Sequence, residues 1–167
     1  DVLLSDYRVQ AVSFVGSTAV AESVYRTATN HGKRCQALGG AKNHAIVMPD
    51  ADIENTVQSL MGAAFGSSGE RCMAVSVVVA VGNETAESLI SSFQQEMAKL
   101  KVGGYTDASN DFGPLITADH RDRVIDLIGG AEQAGATIVV DGREPLLADG
   151  DTGYFVGGTL IDHVQSS

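Results

Sequence analysis

Apolar segments of two kinds alternate along this chain, and this alternation restricts the possible folds more than any other feature. Short apolar runs with the length of strands, such as Ala11–Val15, are followed by stretches whose apolar residues recur at helical spacing, as Val20, Val24 and Ala28 do. The nearly continuous apolar run Val75–Val81 is typical of a strand covered on both faces. The alternation therefore predicts an α/β fold rather than a helical bundle or a β-sandwich.

Turn and capping residues divide the chain into predicted elements. Extended segments are expected at 11–15, 34–38, 45–48, 75–81, 137–140 and 154–161. Helices are expected after Thr18, after Asp52, from a cap near Asn83 and from Thr117. Their apolar faces, in the same order, are Val20, Val24, Tyr25 and Ala28; Ile53, Val57, Leu60, Met61 and Ala64; Leu89, Phe93, Met97 and Leu100; and Val124, Leu127, Ile128 and Ala131. Loops are predicted at 102–114 and at 141–153, and a flexible stretch at 66–69.

The charge balance excludes one class of function. Acidic residues outnumber basic ones 21 to 11, for a formal net charge of -10, whereas nucleic-acid binding needs clustered Lys and Arg. No apolar run approaches the roughly 20 residues of a membrane helix. We therefore predict neither a nucleic-acid partner nor a membrane span. The chain also lacks a targeting segment and an initiator Met, which we interpret as a sign of a fragment or a processed product.

Cysteine and histidine usage gives no sign of a metal site. The two cysteines, Cys35 and Cys72, form no C-x-x-C pair, and the four histidines show no ligand spacing. The low cysteine content fits a reducing compartment. Cys35 has basic neighbours but no glycine-rich approach, and we interpret it as structural.

Cys72 is the strongest candidate for chemistry. It follows the glycine-containing segment 66–69 and has Arg71 beside it, whose positive charge favours the nucleophilic thiolate, while Glu70 acts in the opposite sense. The residues alone leave other interpretations open. A lone cysteine before an apolar strand is more often a small buried hydrophobic residue, and a Cys–His hydrolase is conceivable although no histidine is singled out.

A second candidate site lies between the first predicted strand and helix. At Gly16-Ser17-Thr18, backbone N–H groups and the positive end of the helix dipole converge where an anion could bind, and Ser17 adds a hydroxyl donor. The segment lacks the full G-x-G-x-x-G pattern and the phosphate-loop Lys, so an ordinary capped turn remains the default interpretation. A tight turn likewise explains Gly39-Gly40 without any ligand.

Taken in order, three segments resemble the aldehyde dehydrogenase superfamily: Phe14–Thr18, Ala37–His44 and Phe65–Cys72. The variants Gly-Gly-Ala-Lys-Asn-His and Gly-Glu-Arg-Cys resemble its methylmalonate-semialdehyde dehydrogenase branch, whose product is an acyl-CoA. The likeness continues through 111–115 to 153–156 and so covers nearly the whole chain. It implies that residues 1–37 are the end of a Rossmann-type NAD-binding domain, and that residues 38–167 are most of an α/β catalytic domain.

The resemblance also implies roles for individual residues. Ser17, next to Gly16, would contact the pyrophosphate of NAD, and Gly39 would lie beside the nicotinamide. Cys72 would be the nucleophile, with its backbone N–H holding the oxyanion, and Arg71 would hold the carboxylate of the substrate. The implied reaction is oxidation of malonate or methylmalonate semialdehyde through a cysteine thioester, giving acetyl-CoA or propionyl-CoA.

One departure from the wider family supports this branch. Hydrolytic aldehyde dehydrogenases usually have Glu before Leu-Gly-Gly to activate water, whereas this chain has Ala37, which cannot accept a proton. Coenzyme A needs less help from a base because a thiol is the better nucleophile. A hydrolytic enzyme that releases a free acid and an inactive structural fragment remain the alternatives.

The resemblance finally implies a context for the protein. It would be a homo-oligomer, a dimer or tetramer, in the bacterial cytoplasm or the mitochondrial matrix, acting in valine or inositol catabolism. The oxyanion-hole Asn, the ribose-binding residue and a later Glu-x-Phe-Gly-Pro segment of the superfamily fall outside residues 1–167. We therefore expect the 167-residue chain alone to bind NAD weakly and to be nearly inactive.

Overall fold

The computed structural model describes residues 1–147 and 151–165, and its elements follow the predicted α/β alternation. The helices are α1 (Val2–Ser5), α2 (Thr18–Asn30), α3 (Ile53–Phe65), α4 (Asn83–Met97) and α5 (Ala118–Gln133). The strands are β1 (Ala11–Val15), β2 (Arg34–Leu38), β3 (Asn43–Val47), β4 (Val75–Ala80), β5 (Thr137–Val140) and β6 (Leu160–Asp162). Within the described residues, no helix is long and apolar enough to cross a membrane. The α/β class is confirmed.

The chain divides into two compact units, Asp1–Lys42 and Asn43–Ser167. The first unit contains α1, β1, α2 and β2, and the second contains the remaining elements. The boundary predicted after residue 37 falls inside β2, one residue before that strand ends. The assignment of one part to cofactor binding and the other to catalysis stays a prediction.

The first unit is built as strand, helix and parallel strand. β1 and β2 pair in parallel along their whole length, and α2 connects them. Just before β2, the buried ammonium group of Lys33 donates hydrogen bonds to the backbone carbonyls of Asp6 and Val9, at 2.5 Å each. A buried charge needs such partners, and these two fix the start of the chain to the beginning of β2.

The buried face of α2 differs from the predicted one. Ala21 and Ala28 are buried, whereas Val20 and Tyr25 are 49% and 52% exposed. Ala21, Val24 and Ala28 follow the spacing i, i+3, i+7, and the two larger side chains lie at the borders of that stripe, where cover is incomplete. The helix was predicted correctly, but its apolar face was assigned too broadly.

The second unit begins with the same arrangement, because β3 and β4 pair in parallel and α3 connects them. The carboxylate of Asp52 caps α3 by accepting a hydrogen bond from the Asn55 backbone N–H, at 3.0 Å, as the predicted helix start requires. α3, α4 and the two strands enclose the main core. Its buried members are Val47, Val57, Leu60, Leu89, Phe93 and Met97.

The prediction that the apolar run 75–81 is covered on both faces is wrong for the described residues. Burial alternates along β4, and Val78, Val79 and Val81 are 37%, 42% and 38% exposed. α3 and α4 pack against the face of this strand pair that carries Val47 and Ala80. The opposite face therefore exposes valines that the sequence pattern alone assigns to a core.

The ends of α4 differ slightly from the prediction. The helix begins at Asn83 with Gly82 as its N-cap, so Asn83 is a helical residue and its side chain forms no cap. Leu100 lies beyond the end of the helix, although it still packs beside the core that Met97 belongs to. The Leu100 N–H donates to the Met97 carbonyl at 3.1 Å, in a turn that directly follows the helix.

The last third of the unit contains α5 and an antiparallel pair, β5 with β6. Thr117 caps α5 as predicted, but Leu127 is 64% exposed while its neighbour Ile128 is buried. The final extended piece is shorter than the predicted 154–161. Only Leu160–Asp162 forms a strand, and Tyr154 makes a single bridge to Leu115. Part of the predicted excursion 141–153 lies outside the described residues.

Candidate active site

The segment that connects α3 to β4 carries Cys72. A 3₁₀ turn, Gly66–Gly69, leads into a β-turn that is closed by a hydrogen bond from the Ala74 N–H to the Arg71 carbonyl, at 3.1 Å. Cys72 is the first central residue of this turn and its side chain is exposed. The alternative that Cys72 is a buried hydrophobic residue is therefore wrong.

Three successive residues before this β-turn have a left-handed backbone. The φ angle is 54° at Ser67, 55° at Ser68 and 74° at Gly69. A residue with a Cβ loses about 1–2 kcal/mol in this conformation, so neighbouring contacts must hold it. The stretch predicted to be flexible is thus a specific, strained turn, closed by a hydrogen bond from the Glu70 N–H to the Ser67 carbonyl at 2.9 Å.

Two side chains of the segment stabilise the strained turn. The Ser68 hydroxyl donates to the carbonyl of Gly113 at 2.7 Å, which ties the turn to the loop 102–114. The Arg71 Nε–H donates to the Ser67 hydroxyl at 3.3 Å, and the guanidinium packs over Gly66, where there is no side chain. Arg71 is exposed. Its charge therefore lies beside the turn that carries Cys72, where an anion in solution can reach it.

The carboxylate of Glu70 faces α5. Its Oε1 lies 3.4 Å from Nε2 of His120, which is in the first turn of that helix. Both residues line a cleft of about 380 Å³ together with Phe65 and Ser68, and Cys72 is not one of the lining residues. The sequence pattern singled out no histidine, because Glu70 and His120 are far apart along the chain and His120 lies in no motif.

Asn43 was also missed. Its side-chain amide donates to the carbonyl of Cys72 at 3.0 Å and to the carbonyl of Ala74 at 2.9 Å. A polar residue at the start of a strand, three residues after Gly39-Gly40, is the signal that could have drawn attention to it. The β-turn that presents Cys72 is thus held by a residue distant in sequence.

In the first unit, the two glycine-containing turns lie together. The Gly40 N–H donates to the Thr18 hydroxyl at 3.0 Å, and a Cβ added at Gly39 would lie 3.1 Å from the Thr18 Cα. The Gly16 N–H donates to the Leu38 carbonyl at 3.1 Å. Gly16 and Gly39, both predicted to bind the cofactor, are therefore on adjacent turns, and Thr18 joins them.

Ser17 is the N-cap of α2 by backbone position, but its hydroxyl makes no capping hydrogen bond and is exposed. The first N–H groups of a helix have no partners within the helix, and the helix dipole adds partial positive charge there. Hydroxyl, N–H groups and dipole form a donor set of the kind that binds a phosphate. These residues fit the pyrophosphate of a dinucleotide.

The remaining predicted residues lie on β2. Cys35 and Ala37 are both half-buried, and Cys35 pairs with Val12 of β1. This position fits the structural interpretation of Cys35. Ala37 pairs with Phe14. In the part of the chain that the structure describes, no three His, Cys, Asp or Glu side chains are placed to hold a metal ion.

Comparison with known sequences gives a consistent result. The model of the aldehyde dehydrogenase family matches residues 1–167. A malonate-semialdehyde dehydrogenase of Pseudomonas aeruginosa is 51% identical over 164 residues, covering 98% of this chain. One of Bacillus cytotoxicus is 53% identical over 165 residues, covering 99%. The chain spans about a third of the length of these relatives, 33% and 34%.

Solved structures agree with the sequences. The methylmalonate-semialdehyde dehydrogenase of Oceanimonas doudoroffii matches with a TM-score of 0.95 and 66% identity, over 98% of this chain and 33% of that one. A protein of Sinorhizobium meliloti 1021 assigned the same activity, solved with NAD, matches with a TM-score of 0.93 and 48% identity, over the same shares. Both the sequence and the fold place this chain in the aldehyde dehydrogenase family.

Proposed function

We propose that the protein carrying this chain oxidises malonate or methylmalonate semialdehyde with NAD and transfers the acyl group to coenzyme A. The observation that carries the proposal is the exposed thiol of Cys72 on a β-turn that directly follows a strained turn. Asn43 is hydrogen-bonded to the β-turn, and Ser68 of the strained turn is hydrogen-bonded to Gly113. Strained backbone persists where the surroundings hold it, and it is concentrated at functional sites. Two relatives that match 98% and 99% of this chain are malonate-semialdehyde dehydrogenases.

The first step assigned to Cys72 is addition to the aldehyde. The thiolate sulfur forms a bond to the carbonyl carbon, and the π electrons move to the oxygen, which becomes an oxyanion. The Cys72 backbone N–H is the donor proposed for that oxygen. Arg71, exposed beside the turn, would hold the carboxylate that distinguishes these semialdehydes from simple aldehydes.

Residues of the first unit are proposed to hold the dinucleotide. The Ser17 hydroxyl and the N-terminal N–H groups of α2 would bind the pyrophosphate, and Gly16 and Gly39 keep the two adjacent turns free of side chains. NAD supplies the hydride acceptor that turns the Cys72 adduct into a thioester. The Sinorhizobium meliloti relative was solved in complex with NAD.

The second half-reaction is proposed to be thiolysis. Loss of the substrate carboxylate as CO₂, followed by protonation of the carbon, would leave an acetyl or propionyl group on Cys72. The coenzyme A thiolate would then attack the thioester carbonyl, and the Cys72 thiolate would leave. The methyl group of Ala37 stands where hydrolytic family members usually have Glu and can activate no water.

Two other functions remain as alternatives to this proposal. A hydrolytic dehydrogenase would release the free acid, and water would then replace coenzyme A in the second step. A folded but inactive structural piece would show no turnover at all. We further propose a homo-oligomeric enzyme in the cytoplasm of a bacterium, in keeping with the bacterial source of the relatives; light scattering on the purified protein would give its mass in solution.

The test is product analysis on the natural protein that carries these residues. We expect NADH formation from malonate semialdehyde to require coenzyme A and to yield acetyl-CoA. Equal turnover without coenzyme A, with a free acid as the main product, would support the hydrolytic alternative. Cys72→Ala should abolish turnover, and Cys35→Ala is the matched control that should keep it, because Cys35 lies half-buried on β2.

A further inference from the structure

The side chain of Asn43 makes two contacts that the proposed chemistry does not yet use. Asn43 is the first residue of β3, it is half-buried, and its amide nitrogen lies 3.0 Å from the Cys72 carbonyl oxygen and 2.9 Å from the Ala74 carbonyl oxygen. Carbonyl oxygens can only accept hydrogen bonds, so the nitrogen of the amide must face them. Both of its hydrogens are then donated to the turn.

Both hydrogen bonds hold the β-turn 71–74, which carries Cys72 and is the proposed nucleophile turn. The turn is closed internally by the hydrogen bond from the Ala74 N–H to the Arg71 carbonyl. Asn43 holds the carbonyl of Cys72, at the tip, and the carbonyl of Ala74, at the exit. The carbonyl of Cys72 can then rotate little about its Cα, and the direction of the Cα–Cβ bond of Cys72 is restricted with it.

The strand pairing next to the turn is irregular. Asn43 pairs with Val75, but His44 pairs with Val77, so Ser76 is an extra residue in β4. An extra residue interrupts the backbone ladder and redirects the strand. The contact between β3 and the turn that leads into β4 is therefore made by the Asn43 side chain, ahead of the point where the regular ladder begins.

We propose that Asn43 is a positioning residue for Cys72, which fixes the turn so that the thiolate and the Cys72 N–H meet the aldehyde in one orientation. The inference rests on the proposed role of Cys72 as nucleophile. A small misplacement of reacting groups costs as much as about a hundredfold in rate. Loss of the two Asn43 hydrogen bonds should therefore lower kcat and leave the affinity for substrate unchanged.

The experiment compares three variants of the natural protein that carries this chain. Asn43→Asp keeps the shape of the side chain but has no N–H to donate, and Asn43→Ser keeps one donor. Asn55→Asp is the matched control, because it introduces the same charge at an exposed position of α3. For each variant, kcat, KM for the semialdehyde, KM for NAD and the folded fraction are measured, with amide hydrogen exchange of a peptide that covers residues 70–75.

We expect Asn43→Asp to lower kcat by about tenfold to a hundredfold with both KM values within about twofold of the original. The kcat of Asn43→Ser should lie between those of Asn43→Asp and the original protein. Hydrogen exchange at 70–75 should be faster in both Asn43 variants than in the original. Asn55→Asp should change neither kcat nor the hydrogen exchange at 70–75. If Asn43→Asp does not fold, Asn43→Ser alone decides, since it must lower kcat while the protein remains folded.

Two results would overturn the inference while leaving the proposed function intact. The first is a wild-type kcat in the folded Asn43 variants together with an inactive Cys72→Ala variant. The second is a loss of kcat that disappears after correction for the folded fraction, which would reduce Asn43 to a stabilising role. Full turnover by Cys72→Ala would instead remove the proposed function, and the inference with it.

Discussion

Ser67 and Ser68 occupy left-handed backbone conformations a few residues before the exposed Cys72. Glycine takes such conformations without steric cost, yet the chain has serine at both positions. Ser68 gains a hydrogen bond to Gly113 through its hydroxyl, and Ser67 gains one from Arg71. The hydrogen bonds of these side chains thus offset part of the free energy that the strained backbone costs, and they connect the turn to its surroundings.

Ser67→Gly should therefore be more stable than Ser67→Ala. Both variants lose the hydrogen bond from Arg71, but glycine relieves the left-handed strain, and we expect its free energy of unfolding to be higher by about 0.5–1 kcal/mol after the entropic cost of glycine in the unfolded chain. Ser67→Ala keeps the strain, loses the hydrogen bond from Arg71, and should be less stable than the original. Urea unfolding of the two variants is the measurement. A glycine variant no more stable than the alanine variant would contradict this account of the turn.

A second prediction concerns Asp6, near the start of the chain. Hydrogen bonds from the Arg8 guanidinium, at 3.0 and 2.6 Å, and from the Arg8 backbone N–H hold the pKa of the Asp6 carboxyl at about 2, below its usual 3.8. Because the pKa is lower in the folded protein, the stabilisation is present above pH 3.8 and is lost as the pH falls towards about 2.

Carbon-13 NMR titration of the Asp6 carboxyl checks this value. In Arg8→Ala the pKa should return towards its usual range. Asp107 provides an internal control, because its pKa is lowered mainly by the backbone N–H of Ser109 and should not respond to the substitution. A pKa near 3.8 for Asp6 in the unsubstituted protein would show that the Arg8 contacts do not persist in solution.

Single residues differed in how far the sequence could predict them. Cys72 and Arg71 could be proposed as site residues from the sequence because they lie in one short motif with recognisable spacing. Asn43 and His120 could not, because Asn43 contacts Cys72 and His120 contacts Glu70, and in both pairs the residues are distant in sequence. Local patterns report which conformations a residue prefers, whereas such contacts depend on how strands and helices are placed in three dimensions.

At the scale of elements, α3 leads into the segment that carries Cys72, and the start of this helix is capped by Asp52. Asp52→Ala removes the acceptor for the Asn55 N–H and should lower the free energy of unfolding by about 1 kcal/mol. Asp50→Ala, two residues earlier and exposed, removes the same charge without a cap and should change it by less than about 0.5 kcal/mol. Thermal or urea unfolding distinguishes them; equal losses would mean that charge, not capping, is responsible.

Element positions were more predictable than element surroundings. β1, β2 and the start of α3 were placed correctly, since turn residues and helix caps are local signals. The cover of β4 was predicted wrongly, because a run of valines reports only an affinity for burial and does not say which faces are packed. The same limit explains Val20 and Leu127, which fit a helical apolar stripe and yet lie exposed.

For the whole molecule, the α/β class and the family could be predicted from the order of motifs. The chain spans about a third of the length of its relatives. The ribose-binding residue that the family resemblance implies lies outside residues 1–167. Under the proposed function, the donors at Ser17 would be one part of a larger contact set, and the affinity of a dinucleotide depends on the sum of its contacts.

We therefore expect the isolated 167-residue chain to bind NAD weakly. Calorimetric titration should give a dissociation constant well above the micromolar range, and no NADH should form with semialdehyde and coenzyme A. Ser17→Ala would then change little in this chain but should weaken NAD binding in the natural protein that carries it. Micromolar affinity of the isolated chain would contradict the expectation.

The left-handed turn also has a consequence for the reactivity of the segment in isolation. A synthetic peptide of residues 65–75 would have the same sequence, but it would lack the hydrogen-bond partners that Gly113 and Asn43 provide. Its serines would relax to ordinary backbone angles, and its cysteine would sample many directions like any thiol in a flexible oligopeptide. Transferring the motif to another scaffold would therefore require the hydrogen-bond partners that Asn43 and Gly113 provide, as well as the Gly-Glu-Arg-Cys sequence.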